Sequence, residues 1–134
     1  MKVLVFGTFD ILHEGHMNFL REARKHGNYL TVVISRDSTV LEVKGRYPEK
    51  RERERLGNIR KLRLADRVLL GNHGDKYRII EDIKPDIICL GYDQEAFTEN
   101  LEEELRKRGL HVKVVRLKPY MEDVYKSSKI KTGT

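Results

Sequence analysis

Two histidines three residues apart, His13 and His16, close the ten-residue run Gly7-Thr8-Phe9-Asp10-Ile11-Leu12-His13-Glu14-Gly15-His16. The run directly follows the apolar stretch Val3-Leu4-Val5-Phe6, so a first strand is expected to hand over to a helix here. Backbone N–H groups at a helix start have no partners inside the helix, and the helix dipole favours an anion beside them. The histidines add side-chain donors, and the chemistry that such a junction offers is phosphate binding. Other patterns are absent: there is no G-x-G-x-x-G, no Gly-Lys-Ser/Thr and no H-E-x-x-H. Two rival readings stay open on the residues alone. A helix could present both histidines to a metal ion, although no third ligand lies near in sequence, or the two could be unconnected residues at a helix start.

The run resembles the G-T-F-D-x-x-H-x-G-H signature of a nucleotidyltransferase family that includes cytidylyltransferases, pantetheine-phosphate adenylyltransferase and archaeal FAD synthetase. The resemblance implies that His13 and His16 contact the phosphates around the α-phosphorus of a nucleoside triphosphate. It also implies that Gly7, Thr8, Phe9, Asp10 and Gly15 belong to the nucleotide site. Gly15 is expected to let the backbone approach the phosphate without an intervening Cβ.

The elements that must position this run follow a βα order. Strands are expected at 2–7, 29–35, 66–70, 86–91 and 112–117, and helices near 14–26, 49–62, 75–84 and 99–108, with Thr98 capping the last. Residues 36–48 read as a loop. Pro85 stops the third helix, and the near-continuous apolar run that follows is of the kind buried on both faces of a parallel sheet. Together these predict an α/β, doubly wound, Rossmann-like domain with a five-stranded parallel sheet, spanning 1–134 as a single unit. Ligands of such sheets bind beyond the carboxyl ends of the strands, at the switch in strand order. Loops 7–16, 36–48, 91–98 and 118–130 are expected to converge there.

Each of the other three loops carries a segment similar to the same family. Ser35-Arg36-Asp37-Ser38-Thr39-Val40 with Lys44-Gly45-Arg46-Tyr47-Pro48 resembles the R-D-x-T-V and K-G-R-x-P of archaeal FAD synthetase. Lys44 and Arg55 are the expected phosphate-holding cations, the first a mobile point charge and the second a two-pronged fork. Leu90-Gly91-Tyr92-Asp93-Gln94 resembles L-G-x-D-Q of those enzymes, placing Gly91 and Asp93 in the nucleotide site. Ser127-Ser128-Lys129-Ile130 resembles the final motif, in which a helix start receives the outer phosphates. Tyr92, Phe97, Tyr120 and Tyr125 are candidates for holding the acceptor. The resemblance thus implies AMP transfer from ATP to FMN, with Mg²⁺ or another divalent cation arriving on the triphosphate and no metal site on the protein itself. A glycerol-3-phosphate cytidylyltransferase, or a related enzyme using CTP and a phosphorylated small alcohol, is the alternative. A homodimer is expected from the same resemblance.

Composition bounds the remaining classes. The net charge is +6, and residues 44–67 carry all of it, with ten Lys/Arg against four acidic residues. Such a window can hold polyphosphate, bind nucleic acid non-specifically or form a solvated helix face. Glu49 and Arg53 at helical spacing favour the solvated face for most of it, and no motif for specific nucleic-acid recognition is present. The apolar start is too short for a signal peptide and no stretch approaches the ~20 residues of a membrane span, so a cytoplasmic protein without membrane contact is expected. The single cysteine, Cys89, reads as a buried strand residue.

Overall fold

Strand β1 (Lys2–Gly7) is the centre of the fold, and its Val3, Leu4, Val5 and Phe6 are all buried. Burying each such side chain contributes about 1.5–3 kcal/mol, which is why an apolar run with no polar face takes the middle of a parallel sheet. The computed structural model describes residues 1–92, 94 and 100–118. Around β1 run β2 (Tyr29–Ile34), β3 (Arg67–Leu70), β4 (Ile87–Leu90) and β5 (Lys113–Arg116), in the order β3-β2-β1-β4-β5 with every pairing parallel. The chain builds outward from β1 to β3, then returns to lay β4 against the other side of β1. The switch in strand order therefore lies between β1 and β4, at the carboxyl end of the strand that feeds the histidine run.

Helices α1 (Glu14–Arg24) and α3 (Glu52–Leu62) cover one face, where Leu20, Ala23, Leu56 and Ile59 meet Val3, Val5, Leu30, Val32 and Val68. Helices α4 (Arg78–Ile83) and α5 (Leu101–Lys107) cover the other, where Ile79, Ile80, Ile83, Leu101 and Leu105 meet Leu4, Phe6, Val33 and Ile88. The doubly wound, Rossmann-like α/β architecture expected from the periodicity is therefore the one observed. Cys89 is buried in β4, and burial pushes its thiol up to about 11, so it packs as a small apolar group. Among the described residues no helix is long and apolar enough to cross a membrane.

Two departures from the expected elements bear on the site. Residues 37–44, expected as loop, form α2 (Asp37–Lys44), closed by Gly45 at φ 80° in the left-handed region that glycine adopts without strain. Only Val40 of α2 is buried, so the helix carries no repeating apolar signal. Helix α3 starts at Glu52 rather than 49, because the N–H groups of Glu49 and Lys50 are drawn out to the carboxylate of Asp10. The expected Thr98 cap lies outside the described residues.

Candidate active site

The start of α1 is built by the two histidines themselves. His13 is the N-cap, with extended backbone, and its Nδ1 accepts the N–H of Gly15 at 3.0 Å. His16 reaches back three residues, and its Nδ1 accepts the N–H of His13 at 3.3 Å. This is a capping box with imidazoles in place of the usual hydroxyl and carboxamide. It also stacks the rings, with centroids 4.0 Å apart and planes 26° from parallel. Gly15 has a steric reason here, since a Cβ would stand 2.8 Å from Cε1 and 3.0 Å from Nδ1 of His13.

The caps decide where the protons sit. A neutral imidazole whose Nδ1 accepts must carry its hydrogen on Nε2, so each ring, when neutral, presents an Nε2–H donor. Neutrality of His16 is enforced by its surroundings: burial, then the charges of His13 and Lys44, push it down to about 4. Lys44, at the end of α2, is thereby placed close enough for its ammonium to be felt at His16. Phe9 holds His16 from the side, edge-on at 5.4 Å between centroids. The arrangement is two stacked imidazoles at a helix start, that of His16 held neutral, with a cation nearby, and it suits a phosphoryl group that gains negative charge.

Several expected ligands are engaged within the fold itself. Arg55, expected to clamp outer phosphates, is wholly buried. Its Nε donates to the Lys50 carbonyl at 2.9 Å, one terminal nitrogen to the Thr8 carbonyl at 2.9 Å, and the other to Asp37 Oδ1 at 2.7 Å. A buried guanidinium must be matched by acceptors inside the fold, and these three bind α2, α3 and the histidine run together. Asp10, expected to touch nucleotide, accepts the N–H groups of Glu49 and Lys50 at 2.8 Å each. Phe9, expected there too, is 4% exposed and belongs to the core, at φ 50° with its ring lying where a Gly7 side chain would be. Gly7 thus leaves room for Phe9, and its carbonyl accepts the N–H of Ser35 at 3.0 Å.

The loop after β4 is tied across the switch point by the glutamine of the Leu90–Gln94 motif. Gln94 accepts the Gly91 N–H at 3.1 Å and donates to the Phe6 carbonyl at 3.2 Å, linking the ends of β4 and β1. Arg116, on β5, donates to the carbonyls of Gly91 at 2.7 Å and Gln94 at 2.9 Å. Gly91 is therefore held by its own chain on both backbone groups, while Tyr92 stands half exposed beside it. Asp37, not foreseen as a site residue, also exchanges hydrogen bonds with Glu52, accepting the Glu52 N–H at 3.3 Å while its own N–H donates to Glu52 Oε1 at 2.8 Å. Asp93, Phe97, Tyr120, Tyr125, Ser127, Ser128 and Lys129 lie outside the described residues. Among the described residues no group of three His, Cys, Asp or Glu side chains is placed to hold a metal ion.

The sheet's switch point lies beside the histidine-capped helix start, and residues 4–133 match the cytidylyltransferase-like family, to which this chain belongs as a nucleotidyltransferase. Among its relatives it is similar to the FAD synthase of Aciduliprofundum boonei, with 52% identity over 90% of this chain and 80% of that protein. The FAD synthase of Methanohalophilus mahii is 45% identical over 96% of this chain and 90% of its own length. A solved structure from Thermoplasma volcanium, described as a lipopolysaccharide core biosynthesis protein, superposes with a TM-score of 0.84. It is 42% identical and covers 90% of this chain and 98% of that one. A pantothenate synthetase from Thermus thermophilus shares the fold at a TM-score of 0.57 and 17% identity, covering 86% of this chain and 55% of its own.

Proposed function

We propose that this chain transfers AMP from ATP to FMN, forming FAD and pyrophosphate. The observation that carries the transfer chemistry is the imidazole capping box, which engages Nδ1 of both histidines and so leaves the two Nε2 atoms as the donors at the start of α1. The choice of FMN and ATP is supported by the similarity to FAD synthases over 80–90% of their length.

A phosphate oxygen of FMN attacks the α-phosphorus of ATP. The bond from that phosphorus to the bridging oxygen breaks on the opposite side, and pyrophosphate leaves with the electron pair. An ionised phosphate oxygen already has its lone pair free, so no general base is needed and positioning with charge stabilisation supplies the catalysis. His13 and His16 donate to the equatorial oxygens as they gain charge. Lys44 follows the departing pyrophosphate, and Ser127, Ser128 and Lys129 receive its outer oxygens. Arg55 and Asp10 act through other residues, holding the histidine run and the loop before α3 in register. Gly91 and Asp93 form the nucleoside side, and Tyr92, Phe97, Tyr120 and Tyr125 are candidates for the acceptor. A divalent cation such as Mg²⁺, arriving with the triphosphate, would neutralise part of its charge. The enzyme works as a cytoplasmic homodimer.

The test is substrate pairing. ATP and CTP, each with FMN and with glycerol 3-phosphate in the presence of Mg²⁺, are followed by pyrophosphate release and product mass. FAD from ATP and FMN alone supports the proposal; CDP-glycerol would replace it with the cytidylyltransferase activity.

A further inference from the structure

Seven large apolar residues are exposed among the described residues, and their distribution is uneven. Met1 and Tyr29 stand at the amino ends of strands. The other five, Ile11, Leu41, Val43, Tyr47 and Tyr92, stand in segments that follow the carboxyl ends of β1, β2 and β4, where the site lies. Tyr47 is 64% exposed and Ile11 51%, the two most exposed of the five. Tyr47 is absent from the aromatics that the sequence motifs single out.

These two are held near each other. Ile11 follows Asp10, whose carboxylate binds the N–H groups of Glu49 and Lys50, and Tyr47 lies two residues before Glu49. The loop bearing Tyr47 is thus pinned against the loop bearing Ile11, two residues before His13. Lys44, felt electrostatically at His16, begins the same loop, and Arg46 and Lys50 flank Tyr47 in sequence. An exposed aromatic ring on a loop that carries three cations and is tied through Asp10 to the run leading into α1 is complementary to a ligand that joins a flat ring to a phosphate.

The strand order assigns the sides. Gln94 and Arg116 build the wall on the β4 and β5 side of the switch point, which the nucleoside occupies in the proposed reaction. Two substrates that meet at one phosphorus must approach it from different directions, which leaves the β2 side for the acceptor. We infer that Tyr47, with Ile11 beside it, is the platform on which the isoalloxazine ring of FMN lies while its phosphate reaches the α-phosphorus. This rests on the proposed activity for its choice of ligand.

Quenching of flavin fluorescence reads FMN binding without turnover, so its outcome is separate from whether FAD forms. Wild type and Tyr47→Phe are expected to quench FMN alike, and Tyr47→Ala to bind it about tenfold more weakly, as loss of one stacked ring and its buried area implies. In turnover the KM for FMN rises by the same factor, with the KM for ATP and kcat close to wild type. Quenching that is unchanged in a Tyr47→Ala, Ile11→Ala double variant would overturn the platform even if the wild type makes FAD. Weaker FMN binding in Tyr92→Ala but not in Tyr47→Ala would overturn it too, by moving the ring to the β4 side. A change in sedimentation with FMN binding intact would assign the patch to a second copy of the chain and likewise contradict it. Normal quenching lost in Tyr47→Ala, with no FAD from the wild type, would uphold the platform and defeat the transfer reaction.

Discussion

The Nδ1 of His16 accepts the backbone N–H of His13, so one histidine of the motif sets the tautomer of its own ring by capping the other. With His13 closing the box through Gly15, the pair is at once a helix cap and a source of two Nε2–H donors. These two duties can be separated by substitution.

Asparagine is a good N-cap but has no donor at the Nε2 position. His13→Asn is therefore expected to melt close to wild type while kcat falls by about a hundred- to a thousandfold, the usual effect of losing one transition-state donor. His16→Ala should lose a similar factor and also about 1 kcal/mol of stability, because the cap goes with the donor. Thermal melts by circular dichroism beside steady-state rates check both.

His16 is held well below an ordinary histidine, at about 4 against 6.5, chiefly by burial. Because the unfolded chain takes up the proton first, stability associated with His16 is complete above pH 6.5 and is lost as pH falls toward 4. The loss amounts to about 3 kcal/mol in all. An NMR titration should find its C–H resonances moving with a midpoint near 4, and urea unfolding should show wild type losing more stability than His16→Gln between pH 6.5 and 4.5.

Arg55 is the support whose removal should cost most. Arg55→Met leaves Asp37 Oδ1 and the carbonyls of Thr8 and Lys50 without their donor, and Arg55→Lys cannot reach all three from a single nitrogen. A loss of about 3–5 kcal/mol is expected for Arg55→Met, read by urea unfolding. What activity remains at low temperature should show a lowered kcat, because the histidine run loses the tie at Thr8.

Arg55 also shows where sequence stops being informative. The family resemblance singles Arg55 out as a phosphate cation, but nothing in 49–62 shows that its acceptors are two backbone carbonyls and an aspartate 18 positions away. The strands were legible because burial on both faces leaves unbroken apolar runs, as in β1 and β4. Helix α2 was not, since only Val40 is buried. The histidine motif was legible as the handover from β1 to a helix, but its Phe9 and Asp10 gave no sign that they face inward to the core and to the loop before α3. Gln94 and Arg116 brace the switch point through backbone groups, which leave no mark on residue type.

A stabilising change is available away from the site. Arg63 ends α3 in the left-handed region at φ 57°, where a Cβ is strained, and it is exposed. Arg63→Gly should raise stability by about 0.5–1 kcal/mol and leave kcat and KM unchanged, as thermal melts and steady-state assays would show.

The central claim, that an oxygen of the FMN phosphate attacks the α-phosphorus of ATP, is tested most directly by an isotope. FMN labelled with ¹⁸O in its phosphate is turned over with unlabelled ATP, and the masses of both products are read. The account predicts FAD that retains every labelled oxygen, bridge included, with pyrophosphate carrying none. Label in the pyrophosphate, or label-free FAD, would contradict it.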